Sequence, residues 1–341
     1  MMRKLLLLIT IGFFISDIYA ATLTVTNVND AGSGSLRFQI SAATSGDIIN
    51  FDSALNGSTI TLTSGDITFS KNLTILGPGR SLLTISGNNN SRIFDITGGN
   101  VEIRGLQLMN CESNSANGGA VRYISSGNLS FYNVWFILNV ATSQQGGAVY
   151  YSSAGGQFVA DSCLFGANEA SSYGAALSCN GTPASMDINY CVFDANTGFT
   201  KGTIFSNAGI NNISNTSITN NVFTQTPGIS FSGNGTKSII NCTFSGNRAS
   251  SPYTLIEIGG GSLDIMNSTF SDNEEPLRLN GSGLVVNFQN NIFNNVGDNF
   301  VNSSATISSG GGNISNDATM SSFLTATNDM NNTDPMLGVS Y

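Results

Sequence analysis

The chain of 341 residues contains no histidine. That removes the Ser-His-Asp triad, the Cys-His pair and histidine-bound zinc as chemistries it could carry. Charge is scarce as well, since Asp, Glu, Lys and Arg together make up 10% of the residues, with 12 basic against 21 acidic and a net charge of −9. Binding to phosphates needs a basic footprint, so nucleic acid is not an expected partner. The five cysteines, Cys111, Cys163, Cys179, Cys191 and Cys242, are odd in number and contain no Cys-x-x-Cys pair, which argues against redox or zinc work. The glycine-rich calcium nonapeptide of β-rolls is missing too, and neither a metal nor a cofactor is expected.

Long apolar runs are missing except at the start. Arg3 and Lys4 precede an apolar run from Leu5 to Ile15 and then Asp17-Ile18-Tyr19-Ala20, the layout of a secretory signal peptide over residues 1–20. The run is too short to cross a bilayer comfortably. Removing it takes two of the 12 basic and one of the 21 acidic residues, leaving 10 minus 20, or −10. The expected product is secreted and not membrane-spanning, located outside the cell or on a bacterial cell envelope.

What the chain has in quantity is repetition. Glycines at Gly118, Gly146, Gly174 and Gly202 each open a short β-forming stretch, 28 residues apart. Further along each unit stands an aromatic or aliphatic residue: Leu108, Phe136, Phe165, Phe193, Ile218, Phe244, Phe270 and Phe293, in steps of 28, 29, 28, 25, 26, 26 and 23. So steady a period signals a solenoid. Ile103, Phe131, Ala160, Ile188, Ile213, Ile239, Ile265 and Phe288 lie five residues earlier, and a small-residue column that includes Cys163, Cys191, Thr216 and Cys242 lies two earlier. Three residues after the aromatic position stand Asn139, Asn168, Asn196, Asn221, Asn247 and Asn273, which predict an asparagine ladder at a corner. Leucine-rich repeats have a similar period, but their other half is helical. Here that half is Gly-Gly-Ala-Val-Tyr-Tyr, which disfavours a helix and leaves a parallel β-helix.

The predicted fold is therefore all-β, a single-stranded right-handed parallel β-helix of the pectate-lyase-like kind with an N-terminal cap. Residues 21–58 would hold the cap and first strands, with Ser35-Leu-Arg-Phe-Gln-Ile-Ser-Ala-Ala43 as a short helix covering the open end. Residues 59–296 would carry the repeats and 297–341 an irregular tail.

At this point a resemblance becomes specific. Gly-Ser-Gly-Ser-Leu-Arg37, Gly46-Asp-Ile-Ile-Asn-Phe-Asp52 and Lys71-Asn-Leu-Thr-Ile-Leu-Gly-Pro-Gly79 look like the start of secreted bacterial right-handed β-helix proteins. The Gly-Gly-Ala-Val and Phe-x-x-Asn units are similar to the repeats of polymorphic outer-membrane proteins. Asp334-Pro-Met-Leu-Gly338 resembles the end of the choice-of-anchor β-helix domain. Members of those families typically carry a C-terminal membrane barrel or a sorting module, whereas the roughly 45 residues after Phe293 here are rich in Ser, Asn and Gly and show no barrel strands, so the families' export route is not carried over as an expectation.

Acidic residues are the remaining source of catalysis. Asp187 and Asp264 share a register three turns apart, about 14 Å at strand spacing, too far for a retaining pair and poor for an inverting one. Glu274-Glu275 beside Asp272 reads as a solvated turn. Cys163 and Cys191 share one inward column on adjacent turns, about 5 Å apart by strand spacing and within disulfide range. Thr216 in the same column favours buried free thiols in a slot for small residues. Val121, Val149, Leu177 and Phe205 are expected to point inward, which turns Arg122, Tyr150, Ser178 and Ser206 outward. Trp135 is expected to face outward beside Leu164 and Val192, as a platform for a sugar ring or a partner. Trp135, Tyr150 and Arg122 are thus the candidate ligand-binding residues. The expected role is non-enzymatic, adhesin-like or structural, binding polysaccharide or another surface protein. A β-helix lyase or glycoside hydrolase, and a passive spacer or truncated remnant, are the alternatives.

Overall fold

A computed structural model describes residues 20–338 except 201, 225–227, 250–253, 275–276, 280, 282 and 302–303; the expected signal peptide, up to residue 19, and Glu275 lie outside the described residues. The chain is an all-β parallel solenoid of about 11 turns. Each turn contributes one strand to each of up to four walls, of 12, 11, six and ten strands. One turn runs from Gln157–Asp161 on wall 1 through Leu164–Gly166 on wall 2 and Glu169–Ala170 on the short wall 3 to Leu177–Thr182 on wall 4.

Parallel pairing in register places like residues on top of one another. Phe136, Phe165 and Phe193 pair in sequence on wall 2. Their rings stack at 4.8 and 4.5 Å with interplanar angles of 10° and 3°, close to the strand spacing itself. Ile218 interrupts the stack, and it resumes with Phe244 over Phe270 at 4.7 Å and Phe270 over Phe293 at 5.2 Å. These columns form one contiguous core from Val25 to Leu324.

The chain bends between walls through single residues of positive φ. Asn133, Ser162, Tyr190, Asn215 and Asn241 make the bend from wall 1 to wall 2, and Leu138, Ala167, Ala195 and Asn220 the one from wall 2 to wall 3. The next residue points inward. At the second corner it is the asparagine ladder: in each of Asn139, Asn168, Asn196, Asn221 and Asn247, the backbone N–H and the Nδ2 amide both donate to the Oδ1 of the next asparagine, at 2.8–3.1 Å. At the first corner the same device uses small side chains: Cys191 N–H donates to Thr216 Oγ1, Cys242 N–H to Ser268 Oγ and Ser268 N–H to Asn291 Oδ1. All five cysteines are buried and unbridged. The glycine pairs serve the turn into wall 4, where Gly146 has φ +72° and a Cβ would lie 2.4 Å from the Val149 carbonyl.

Both ends are covered. Ser35 caps the helix Leu36–Ala42 through the Phe38 N–H, and Leu36 and Ile40 enter the core. Arg37 reaches across to Asp30 and to the carbonyls of Gly65 and Asp66, while Lys71 Nζ bonds the Ile40 and Ala43 carbonyls at the helix C-terminus, where a cation is favoured. Burial raises the Asp30 pKa, but hydrogen bonds from Ser64, Arg37 and Thr63 and the Arg37 charge outweigh it and hold it near about 2.

At the far end the tail is more regular than expected. Phe300–Val301, Thr306–Gly311 and Ile314–Ser315 continue walls 4, 1 and 2. Met320 and Leu324 then bury themselves in the core. The amide ladders carry the order into this Ser- and Gly-rich segment, and each ends on an aspartate: Asn299 N–H donates to Asp317 at 2.7 Å and Asn313 N–H to Asp329 at 3.0 Å.

One register differs from the sequence expectation. Ile204, not Phe205, pairs with the inward Leu177, so Phe205 lies with Ser178 on the outer side and Ser206 with Cys179 on the inner. The stretch from Gly202 to the strand is one residue shorter than in the preceding turns, which flips every side chain after it. Phe205 is nevertheless covered, with the Tyr173 ring 4.8 Å away.

Candidate ligand-binding face

The outer surface of wall 1 carries three rows of side chains running along the solenoid. The middle row reads Thr74, Glu102, Ser130, Val159, Asp187, Asn212, Ser238, Asp264 and Asn287, each one turn from the next. At its N-terminal end a shallow cleft of about 280 Å³ is lined by Asn72, Asn100, Asn128, Thr74, Ser130 and Glu102, among others.

The three asparagines of the cleft form a second ladder, on the outside. Asn72 Oδ1 accepts the Asn100 N–H at 2.7 Å, Asn100 Oδ1 the Asn128 N–H at 2.9 Å, and Asn128 Oδ1 the Gln157 N–H at 2.9 Å. The oxygen of each amide is thus fixed by backbone, and its Nδ2 group has no acceptor among the described residues. All three residues are exposed. The result is a row of held, unpartnered donors about 4.8 Å apart, beside hydroxyls and a carboxylate. Glu102 Oε1 accepts from Arg104 Nε at 2.5 Å, and that guanidinium lies 4.1 Å over the ring of Tyr132. The Glu102 hydrogen bond, opposed by burial, raises the Arg104 pKa above its ordinary value.

Further along the wall, Asp161 and Asp187 occupy diagonal positions on adjacent turns, about 8 Å apart from strand geometry. Inverting glycosidases use such a spacing. Here all four oxygens are engaged within the protein. Ser162 Oγ and Asn189 Nδ2 donate to Asp161, and Ser185 Oγ and Asn212 Nδ2 donate to Asp187. Glu274 pairs with Arg248. Among the described residues no group of three or more Cys, Asp or Glu could hold a metal ion.

The candidates Trp135, Tyr150 and Arg122 do not come together. Trp135 lies on wall 2, where Arg80 covers its ring at 5.2 Å, so that face is not a bare platform. Arg122 and Tyr150 are neighbours on wall 4, but Arg122 is bonded to Asp95 at 2.7 and 2.9 Å, and Tyr150 is only 8% exposed. The sequence carries the outer amides only as a spacing of 28 residues at Asn72, Asn100 and Asn128, outside the columns that the repeat alignment picks out.

No protein-family model matches the chain, and no curated protein does. Among solved structures, ORF18 of Geobacillus virus E2 is similar with a TM-score of 0.50 and 14% identity over 83% of this chain, which spans 60% of the length of that protein. The catalytic unit of a thermostable GH87 α-1,3-glucanase from Streptomyces thermodiastaticus strain HF3-3 aligns at a TM-score of 0.34 with 14% identity, over 86% of this chain and 70% of that one. The first likeness is one of fold alone; the second is too distant to add to it.

Proposed function

We propose that the protein is a secreted or cell-surface β-helix module that binds a glycan along wall 1 without cleaving it. The observation that carries this reading is the row of Asn72, Asn100 and Asn128, which line the cleft and whose Nδ2 donors have no partner among the described residues. Fixed donors next to hydroxyl and carboxylate acceptors match the alternating donors and acceptors of sugar hydroxyls. A protein partner would instead need a larger apolar centre than this polar cleft offers. Non-enzymatic action is supported by the engagement of both carboxylates of the Asp161–Asp187 pair. Export rests on the leader expected at residues 1–20, and the resemblance of the repeats to those of polymorphic outer-membrane proteins and of Asp334–Gly338 to the end of the choice-of-anchor domain agrees with a place at the cell envelope.

The test passes the purified chain over immobilised acidic and neutral polysaccharides, with and without calcium, and assays for new reducing or unsaturated ends. Retention without cleavage is expected. Asn100→Ala with Asn128→Ala should weaken it about tenfold, the loss of two neutral hydrogen bonds. Cleavage, or retention that ignores both substitutions, would sink the proposal.

A further inference from the structure

Beside the cleft, residues 77–82 connect the strand Leu73–Leu76 on wall 1 to the strand Leu83–Ser86 on wall 2. Gly77 N–H donates to the Arg104 carbonyl at 2.8 Å and Gly79 N–H to the Gly105 carbonyl at 3.0 Å. At this corner lies a hollow of about 240 Å³, lined by Leu76, Pro78, Arg104, Tyr132 and Asn133 with the adjacent glycines.

Two guanidinium groups are held at this corner, each against an aromatic ring. Arg104 lies over Tyr132 and uses only Nε, on Glu102. Both of its Nη groups are without a hydrogen-bond partner among the described residues. Arg80 lies over Trp135 and donates from Nη1 to the Ser162 carbonyl at 2.6 Å, with no carboxylate partner. The nearby carboxylates do not occupy these donors: Glu102 sits on the Nε edge of Arg104, and Asp161 takes Ser162 Oγ and Asn189 Nδ2. In a chain so poor in cations, two stacked arginines with open N–H groups form a local feature, not a general charge.

We infer that this corner recognises the carboxylate of an acidic sugar, a uronic acid residue of the glycan whose neighbouring residues lie in the asparagine-lined cleft. The inference rests on the glycan reading above. A planar fork already fixed by stacking matches a carboxylate with two parallel hydrogen bonds and loses little freedom on binding. The ring of Tyr132 offers an apolar surface beside it for the face of the sugar.

The experiment titrates the full chain with a galacturonate tetramer and with the same tetramer reduced at its carboxyl groups to the neutral sugar. Binding is read by calorimetry and by the fluorescence of Trp135, the chain's one tryptophan. The acidic tetramer should bind about tenfold more tightly, the difference between a charged and a neutral hydrogen bond, and the advantage should shrink with salt. Arg104→Gln should erase the preference, so that the two tetramers bind the variant equally. Arg104→Lys, which keeps the charge but not the fork, should restore only part of it. If both tetramers bind equally to the natural protein, the carboxylate assignment is wrong and the glycan reading stands. If neither binds at millimolar concentration, both fall.

Discussion

Asn196→Ala should be among the most costly single changes in this protein, and the structure says why. Asn196 is fully buried in the middle of the inner ladder. Its Oδ1 accepts from the N–H and the Nδ2 of Asn168 at 2.9 and 3.0 Å, and its Nδ2 donates to the Phe165 carbonyl and to Asn221 Oδ1, both at 2.9 Å. Truncation leaves one buried backbone N–H and one side-chain N–H of Asn168 without acceptors, and takes a donor from the Phe165 carbonyl. At about 1–3 kcal/mol per orphaned group, with some relief from a water in the vacated space, the loss should be about 3–6 kcal/mol. Asn139 provides the internal control, because it stands at the start of the ladder and its Oδ1 accepts only the Cys111 N–H, at 3.2 Å. Asn139→Ala should cost about 1–2 kcal/mol less, since no side-chain amide of a preceding turn is orphaned. Guanidinium denaturation followed by far-UV circular dichroism and by Trp135 fluorescence measures both, provided the slopes match the natural protein. If Asn196→Ala lies within about 1 kcal/mol of the natural protein, or Asn139→Ala costs as much, the ladder is not a load shared turn by turn and the reasoning fails.

Lys237 is 2% exposed among core side chains, and its Nζ donates to the carbonyls of Gly233, Gly235 and Gly260 at 2.6, 2.9 and 2.6 Å. Burial lowers its pKa to about 8. Lys237→Met, similar in shape, should cost about 2–4 kcal/mol by depriving that glycine-rich bend of its donors, measurable as a lower denaturation midpoint; a neutral outcome would show that water replaces the amine. Acid should act at the other end of the chain. Burial raises the pKa values of Asp317 and Asp329, but hydrogen bonds outweigh it, from Asn299, Thr319 and Ser315 to the first and from Ser309, Asn313 and Ala326 to the second, so both lie below the ordinary value. A folded pKa below the unfolded one, about 3.9, contributes stability that is present above that pH and lost as pH falls through the folded value. Hydrogen exchange of residues 299–329 should therefore accelerate below about pH 4 before that of the middle turns. Uniform acceleration along the chain would contradict this.

Much of this fold was legible because a solenoid writes its inward columns at a fixed period. The phenylalanine and asparagine columns needed only alignment. The register at Phe205 was misread because one residue fewer separates Gly202 from its strand, a local deletion that a spacing of glycines does not reveal. The tail was misread because its strands are Ser- and Gly-rich and owe their order to amides and carboxylates handed on from earlier turns, which no local propensity displays. The proposed binding face was the least legible part. Asn72, Asn100 and Asn128 differ from loop asparagines only in what their oxygens accept, and Arg80 reaches Trp135 from 55 residues away in sequence.

The same geometry separates stability from recognition in this chain. Strand residues alternate between the core and the outer side, and the inward set holds the stacked phenylalanines, the thiols and the inner amides that stabilise one turn on the next. The outer side chains of wall 1 lie on a backbone that those columns already fix, and the Oδ1 atoms of Asn72, Asn100 and Asn128 add one bond per turn at most. Substitutions of Asn100, Asn128 or Arg104 can therefore change what the wall recognises at a cost of about 1 kcal/mol or less each in stability. A solenoid with both ends covered can thus vary its outer rows freely while its inner columns stay constant, and a ligand extended along the axis would meet the same backbone spacing at every turn.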